Sequence, residues 1–506
     1  MNNRITSKIS NGMIIVSIIC IAITVLLIIP TIYVSRYAYP WADDFSYAAE
    51  THKTFVETGS FFKAIARAAE TSMESYRDWQ GTYTSCFLMA MQPAAFGTKL
   101  YHTTGFIMLG ALFVSYLSLF YALCHKALNF SKVTTIAVFS LTYLVSVQMV
   151  KAIPEAFTWF NGAVHYTFNH AMFILYLACI ILTFLKPKKL LSTLFLCIFG
   201  FFAAGGNNIT VLTGTVLLIM ICISIVAYYR IFKNEPPKRL KAIIPMVGVF
   251  TLGAIVNFAA PGNRERMAVT GEMNTFFGTI RDSFIVGGYS VYYNFSIELA
   301  VIMVIIGVII WHEIVHNQII DYSSFKFPLP GVVLLLSYCL LSAEYAPVNY
   351  TSVQEDVNGI IVSALSMNRV NNCIYYSFVL LVVFNEIYFL CWLYKKIGVK
   401  RIALAVEIIV CLAALLICGF SINKKINDNP TSFLTSAAIY NLKTGSAQYY
   451  GLQMQENINR LESDEENVLV TPLGVDPDSL YPKDAADWKD GTKHFYGKES
   501  VEYEEE

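Results

Sequence analysis

Met13-Ile-Ile-Val-Ser-Ile-Ile-Cys-Ile-Ala-Ile-Thr-Val-Leu-Leu-Ile-Ile-Pro-Thr-Ile-Tyr-Val34 contains no charged residue. A bilayer hydrocarbon core about 30 Å thick calls for about 20 apolar residues in a helix, so this stretch reads as a membrane span. It is longer than the apolar core of a signal peptide. It also meets Pro30 and Arg36 instead of a small-residue cleavage site, so an uncleaved anchor is expected.

The same pattern recurs along the chain. Further apolar runs lie at about 104–124, 131–150, 166–185, 190–205, 209–229, 242–259, 297–312, 328–343, 373–394 and 402–421, which makes eleven with the first. Composition agrees: 56% of the 506 residues are hydrophobic and 14% are charged, too apolar a balance for a soluble chain of this length. The expected fold class is an all-α polytopic membrane protein with the lipid bilayer as its surroundings. Its 36 basic and 36 acidic side chains cancel, which gives no basis for a nucleic-acid partner. Eleven cysteines stand singly with no CxxC pair, and they read as small buried residues rather than a disulfide or metal framework.

Basic residues fix the expected orientation. Arg4 and Lys8 precede the first span, and Lys126 and Lys132 follow the second. Lys186, Lys188 and Lys189 follow the fourth; Arg230, Lys233, Lys238, Arg239 and Lys241 the sixth; Lys395, Lys396, Lys400 and Arg401 the tenth. Every second loop is basic, so these loops are expected in the cytoplasm, with the amino terminus inside and the carboxyl terminus outside the cell membrane.

The alternate segments are longer and richer in aromatic and acidic residues. Residues 35–103 form an outer loop too long for a mere connection, with helical stretches such as 61–69 that would lay Phe61, Phe62 and Ile65 against lipid. Thus 1–421 reads as the multi-pass domain. Residues 422–501 read as a small extracytoplasmic α/β module with a helix at 440–461 and a strand at 468–471. The acidic 502–506 tail is expected to be disordered.

Asp43 and Asp44 stand just past the first span. Adjacent carboxylates repel each other and are costly to desolvate, so they are expected to face water or to act. One of them could cap the helix beginning near Phe45, but a cap needs only one aspartate. A carboxylate there could serve as general base for an attacking hydroxyl, its neighbour acting as partner or metal contact. Arg264, Arg266 and Arg369, all in outer segments, could hold a phosphate or alternatively snorkel to lipid headgroups. Glu155, Trp159 and His165 bracket an aromatic, amide- and glycine-rich turn suited either to a sugar face or to interfacial anchoring. Trp79, Glu344 and the polar pair Asn207 and Asn208 complete the outer candidates.

One motif points elsewhere. His312-Glu313-Ile-Val-His316 matches the zinc-protease pattern HExxH, in which helical spacing places two imidazoles on one face. The nearest acid after it is Asp321, and no third-ligand motif follows. The bland reading is a histidine pair at a helix end.

Taken in order, Ala42-Asp-Asp-Phe-Ser-Tyr47, Trp79-Gln-Gly81, Glu155-Ala-Phe-Thr-Trp-Phe-Asn-Gly162, Ala260-Pro-Gly-Asn-Arg264, Met367-Asn-Arg369 and the closing Asp487-Trp488 to Phe495-Tyr-Gly497 resemble a family. It is a poorly characterised family of bacterial polytopic membrane proteins related to the C-type (GT-C) glycosyltransferases. The sequence departs from that pattern at Thr82, where a basic residue is expected. It departs again at Gly205-Gly-Asn-Asn208, where an acid or histidine is expected. The resemblance implies a glycosyltransferase that moves sugar from a polyprenyl-phosphate donor to a cell-envelope glycan or lipid on the outer face. The catalytic base would be Asp43 or Asp44, with a divalent cation as an open question. The alternatives are a non-catalytic transporter or flippase of lipid-linked sugar and, through HExxH, a membrane zinc protease.

Overall fold

The computed structural model describes residues 11–233, 237–269, 273–317, 325–351, 356–357, 360–361, 368–397, 403–483 and 485–504. Arg4, Lys8, Asp321, Met367, Lys400, Arg401, Glu505 and Glu506 lie outside them. The chain is overwhelmingly helical. In order, its larger elements are α1 (Asn11–Val34), α2 (Asp43–Thr58), α3 (Phe61–Asp78), α4 (Tyr83–Ala90), α5 (Thr104–Phe120), α6 (Lys132–Gln148), α7 (Phe160–Ala163), α8 (Asn169–Leu185), α9 (Leu190–Ala203) and α10 (Asn208–Phe232). Then follow α11 (Ile244–Phe258), α12 (Pro261–Val269), α13 (Phe276–Asn294), α14 (Ile297–Asn317), α15 (Pro330–Ala343), α16 (Ala346–Thr351), α17 (Asn368–Ile397) and α18 (Leu404–Asp428).

Among the described residues, eight helices are long and apolar enough to cross a membrane, and α11 with α12 forms a pair bent by 45° that can supply a ninth. The apolar helices α6 and α9 are shorter. Each of the eleven runs read from the sequence coincides with one of these helices or with the bent pair. The long apolar helices make this a multi-pass membrane protein in character.

Polar ties fix how neighbouring helices run. Glu313 near the end of α14 meets Ser131 and Thr134 at the start of α6, while Ser296 just before α14 reaches Met149 just after α6. His312 meets Glu407 at one end of α14 and α18, and Glu298 meets Lys425 at the other. Helix α14 is therefore antiparallel to both. Lys132 at the start of α6 lies at the end that holds Glu313, whereas Thr435 ties the later turns of α1 to the end of α6 at the opposite end, beyond which Asp43 follows.

The 35–103 segment is a set of helices, as expected. On α3, Phe61 and Phe62 are exposed, Ile65 is half-buried, and Arg67 gathers Glu50, Glu70 and Glu74 on the polar face.

Two features depart from the sequence reading. Between the runs read at 242–259 and 297–312, Pro261–Val269 form α12 and Phe276–Asn294 form α13. Helix α13 starts beside Tyr350, through the Asn274 N–H, and ends two residues before α14, so it returns to the end that carries Asp43. Its buried face is polar and small, with Asp282, Ser283, Gly287 and Ser290, which hides it from a hydropathy reading. The acidic tail is the second case. Ser500–Tyr503 is a strand paired in parallel with Asn467–Val470, and Arg460 pairs with Glu504. The carboxyl-terminal module otherwise holds α19 (Leu434–Thr444), α20 (Ser446–Leu461) and α21 (Thr492–Tyr496). What reads as one helix over 440–461 is broken at Gly445, whose φ of 78° suits glycine.

Reporter fusions after Lys189 and after Gly445 are expected to fall on opposite sides of the membrane; both on one side would overturn this helix order.

Candidate active site at the end of the bundle

Asp44 is fully buried. Its Oδ2 accepts the Trp41 N–H at 2.9 Å and the Tyr101 hydroxyl at 2.5 Å, and its Oδ1 accepts the Asn161 N–H at 3.0 Å. The Tyr101 hydroxyl in turn accepts the Phe160 N–H at 2.8 Å. One carboxylate thus joins α2, the segment before α5 and the turn that holds Trp159 to Asn161. Burial pushes its carboxyl up to about 7, against the pull of the Tyr101 hydroxyl and the two N–H donors. Asp44 is thus buried in the wall of the site with both carboxylate oxygens engaged, unlike its neighbour.

Asp43 differs because one residue on a helix turns about 100°. It is exposed, yet enough protein surrounds it to raise its carboxyl pKa. Arg369 and Arg266 oppose that rise, and Asp490 adds to it. Exposed at its carboxylate yet flanked by protein, Asp43 stands in a recess at this end of the bundle. Just before it, Ala42 has φ 37°, a conformation of about 1–3 kcal/mol strain for a residue with a Cβ, and its N–H donates to the Trp488 carbonyl. The module closes on this spot: Trp41 Nε1 donates to Ala486, Phe45 and His52 pack on Phe495, and His494 meets Glu50.

The arginines arrive from two directions. A Cβ on Gly81 would stand 1.8 Å from the Asn257 carbonyl, and one on Gly262 would stand 2.4 Å from the Trp79 nitrogen, so these glycines let the two segments interlock. Asn263 clamps them by accepting from the Gly81 N–H and donating to the Asn257 carbonyl. Arg266 then lies 5.5 Å from the Trp79 ring centroid and donates to Gln80. Arg369, from the first turn of α17, lies 5.9 Å from the Trp159 ring centroid.

His165 adds a third side. Its Nδ1 pairs with the Ser85 hydroxyl at 2.6 Å, and Asn169 and Asn207 donate to its carbonyl. Asn207 also caps α10 by accepting the Thr210 N–H. The turns Pro154–Thr158 and Val164–Phe168 on either side of Trp159 are π-helical, an irregularity common at functional sites.

Asp43, Trp79, Trp159, His165, Arg266 and Arg369 therefore share one recess, with Asn207 behind His165. Glu155 is buried in the same turn and contributes to the field on Lys483 of the module. Other candidates do not join. Arg264 is exposed and stands about 200° round α12 from Arg266, so it points away. Glu344 is buried at the end of α15 against Ser377, about 12 Å along α17 from Arg369. Asn208 leaves its Oδ1 unpartnered near the start of α10. Asn161, not singled out from the sequence, lies in the recess wall; only its hydrogen bonding reveals it.

The HExxH residues sit at the other end. Glu313 accepts from the Ser131 N–H at 2.8 Å and from the Ser131 and Thr134 hydroxyls, which stabilises the first turn of α6. His312 pairs with Glu407 at 2.8 Å, and the two histidine rings stack 3.9 Å apart. Among the described residues, no three His, Cys, Asp or Glu side chains are grouped to hold a metal ion.

No protein-family model matches this chain, and no curated protein matches it.

Two outcomes test these assignments. An acid whose folded pKa is raised stabilises the fold most below its unfolded value near 4, and that stability is lost as pH rises through about 7. The Tm of the purified protein is therefore expected to carry a falling component between about pH 4 and 7 that Asp44→Asn removes. Separately, His316→Ala should be nearly silent in Tm and activity, whereas Glu313→Ala, which strands the Ser131 N–H, should destabilise by about 1–3 kcal/mol.

Proposed function

We propose that the protein is a membrane glycosyltransferase of GT-C-like architecture. In this reading the chain crosses the cell membrane eleven times, with its amino terminus in the cytoplasm and its module outside. It moves a sugar from a polyprenyl-phosphate donor to a hydroxyl of an envelope glycan or lipid. The observation that carries the reading is the recess itself: an open carboxylate, Asp43, faced by Arg369 and Arg266 where the helices emerge.

The geometry suits an inverting displacement. Asp43 takes the proton of the acceptor hydroxyl as its oxygen bonds to the anomeric carbon. The bond from that carbon to the phosphate oxygen breaks, and the departing lipid phosphate keeps the electron pair. Arg266 and Arg369 offer planar, permanently charged forks to the phosphate, and each is backed by an indole ring that keeps it in place. Raising the pKa of Asp43 strengthens it as a base near neutral pH, in the direction that its surroundings already push it.

A transporter of lipid-linked sugar is the second reading, and one observation favours it. Glu386 lies near the middle of α17 opposite Gly307, near the middle of α14, with Oε2 unpartnered. A carboxyl at mid-depth is a common transport device.

Purified protein in lipid nanodiscs, given polyprenyl-phosphate hexose and an envelope-lipid acceptor, should yield glycoside. Asp43→Asn should lower transfer by at least about a thousandfold at unchanged Tm. Arg369→Gln should also depress it. Movement of labelled donor across proteoliposomes without any glycoside, lost in Glu386→Gln but not in Asp43→Asn, would replace this reading with the transporter.

A further inference from the structure

We infer that the Asn161 side-chain amide and the Trp159 indole N–H form a subsite for a neutral, hydroxyl-bearing ring, the sugar portion of the donor. The inference rests on the transferase reading and assigns it a second, uncharged compartment. Asn161 is 3% exposed, and both Oδ1 and Nδ2 lack a partner. Because neither amide atom is engaged, exchanging the two changes nothing. Trp159 is 2% exposed, and its Nε1 also lacks a partner. Each such group left unpaired costs about 1–3 kcal/mol, so native proteins fill these positions with water or ligand.

Both residues are held rigid while their polar ends stay unused. The Asn161 backbone N–H is fixed on Asp44 Oδ1, and the Phe160 N–H on Tyr101. Gly162 lies so close beneath the indole that a Cβ there would stand 2.5 Å from it. Nearby, His165 Nδ1 is engaged by Ser85, and Asn207 by Thr210 and the His165 carbonyl.

The chemistry of what remains decides the ligand class. An amide and an indole offer donors and an acceptor with no net charge. A phosphate would select donors alone, and a cation would select acceptors alone. A sugar hydroxyl both donates and accepts, which matches an amide and an indole N–H. The charged half of a lipid-linked sugar has its own place alongside, since Arg369 lies over the Trp159 ring and acts on Asp43.

Binding in nanodiscs separates the two compartments. The probes are undecaprenyl phosphate and undecaprenyl phosphates carrying glucose, galactose, mannose or N-acetylglucosamine. The wild-type protein is expected to bind bare lipid phosphate and at least one glycosylated form about tenfold more tightly. Asn161→Ala should bring that ratio to about one while leaving the bare-lipid affinity in place; Arg369→Gln should weaken both probes. Asn161→Asp, of the same shape, serves if the alanine variant does not fold. A ratio unchanged in well-folded variants, or a wild-type ratio of one for every sugar, means that these groups hold water only and overturns the subsite while the phosphate reading stands. Failure of the wild-type protein to bind bare lipid phosphate removes the transferase reading and the subsite together.

Discussion

Asp44 is the constraint on which the rest of the site depends. A fully buried carboxyl must have its lone pairs met, and here they are met by a backbone N–H from its own helix start, a backbone N–H from residue 161 and a tyrosine hydroxyl. Those donors come from segments separated by 57 and 117 positions in sequence. Removing the acceptor would leave each donor buried and unpaired, so the three segments are held in one arrangement. Hydrogen bonds alone, worth about 1 kcal/mol net, would not impose this; the larger cost of leaving them unmade does.

Steric exclusion does the equivalent work on the opposite wall. Gly81 and Gly262 are tolerated contacts only because neither carries a Cβ, and Asn263 then clamps the interlocked backbones. The result sets Arg266 against Trp79. A guanidinium packed on an indole loses less conformational freedom when it takes up a ligand than one swinging from the surface, because part of its ordering has already occurred. Arg369 on Trp159 repeats the arrangement from α17. Two guanidinium groups are thereby gathered beside Asp43.

The features legible in the sequence were those that the bilayer imposes. A span must be long and apolar whatever it packs against, so each run found by hydropathy is helical. Phase was less legible. Pro261-Gly262 reads as a turn, but proline is well suited to a first helical turn, and only with α12 continuous through 269 does Arg264 separate from Arg266. Helix α13 was invisible because its buried face is built from Asp282, Ser283, Gly287 and Ser290, residues that a periodicity count scores as polar. The pattern HExxH matched in letters, but Glu313 is committed to the start of α6, a partner 179 positions distant that no local spacing reveals. Asn161 was legible only as the amide of the 154–166 turn: what marks it out is the absence of a side-chain partner, which only three-dimensional neighbours disclose.

The adjacency of Asp43 and Asp44 has a physical rationale in this arrangement. Two carboxylates side by side in one solvent environment would compete for a proton. Consecutive helical positions instead send one into the protein and the other into an aqueous recess, so their surroundings differ although their sequence positions do not. The inner carboxyl is pushed up to about 7 chiefly by burial, with a smaller push from the charge of its neighbour Asp43. The outer one answers to the arginines and to Asp490 of the closing module. The strained Ala42 is the point where the chain turns to present both, and the module carbonyl of Trp488 accepts its N–H. The module therefore holds the segment that presents the outer carboxylate at several points, through Trp41, Ala42, Phe45, Glu50 and His52.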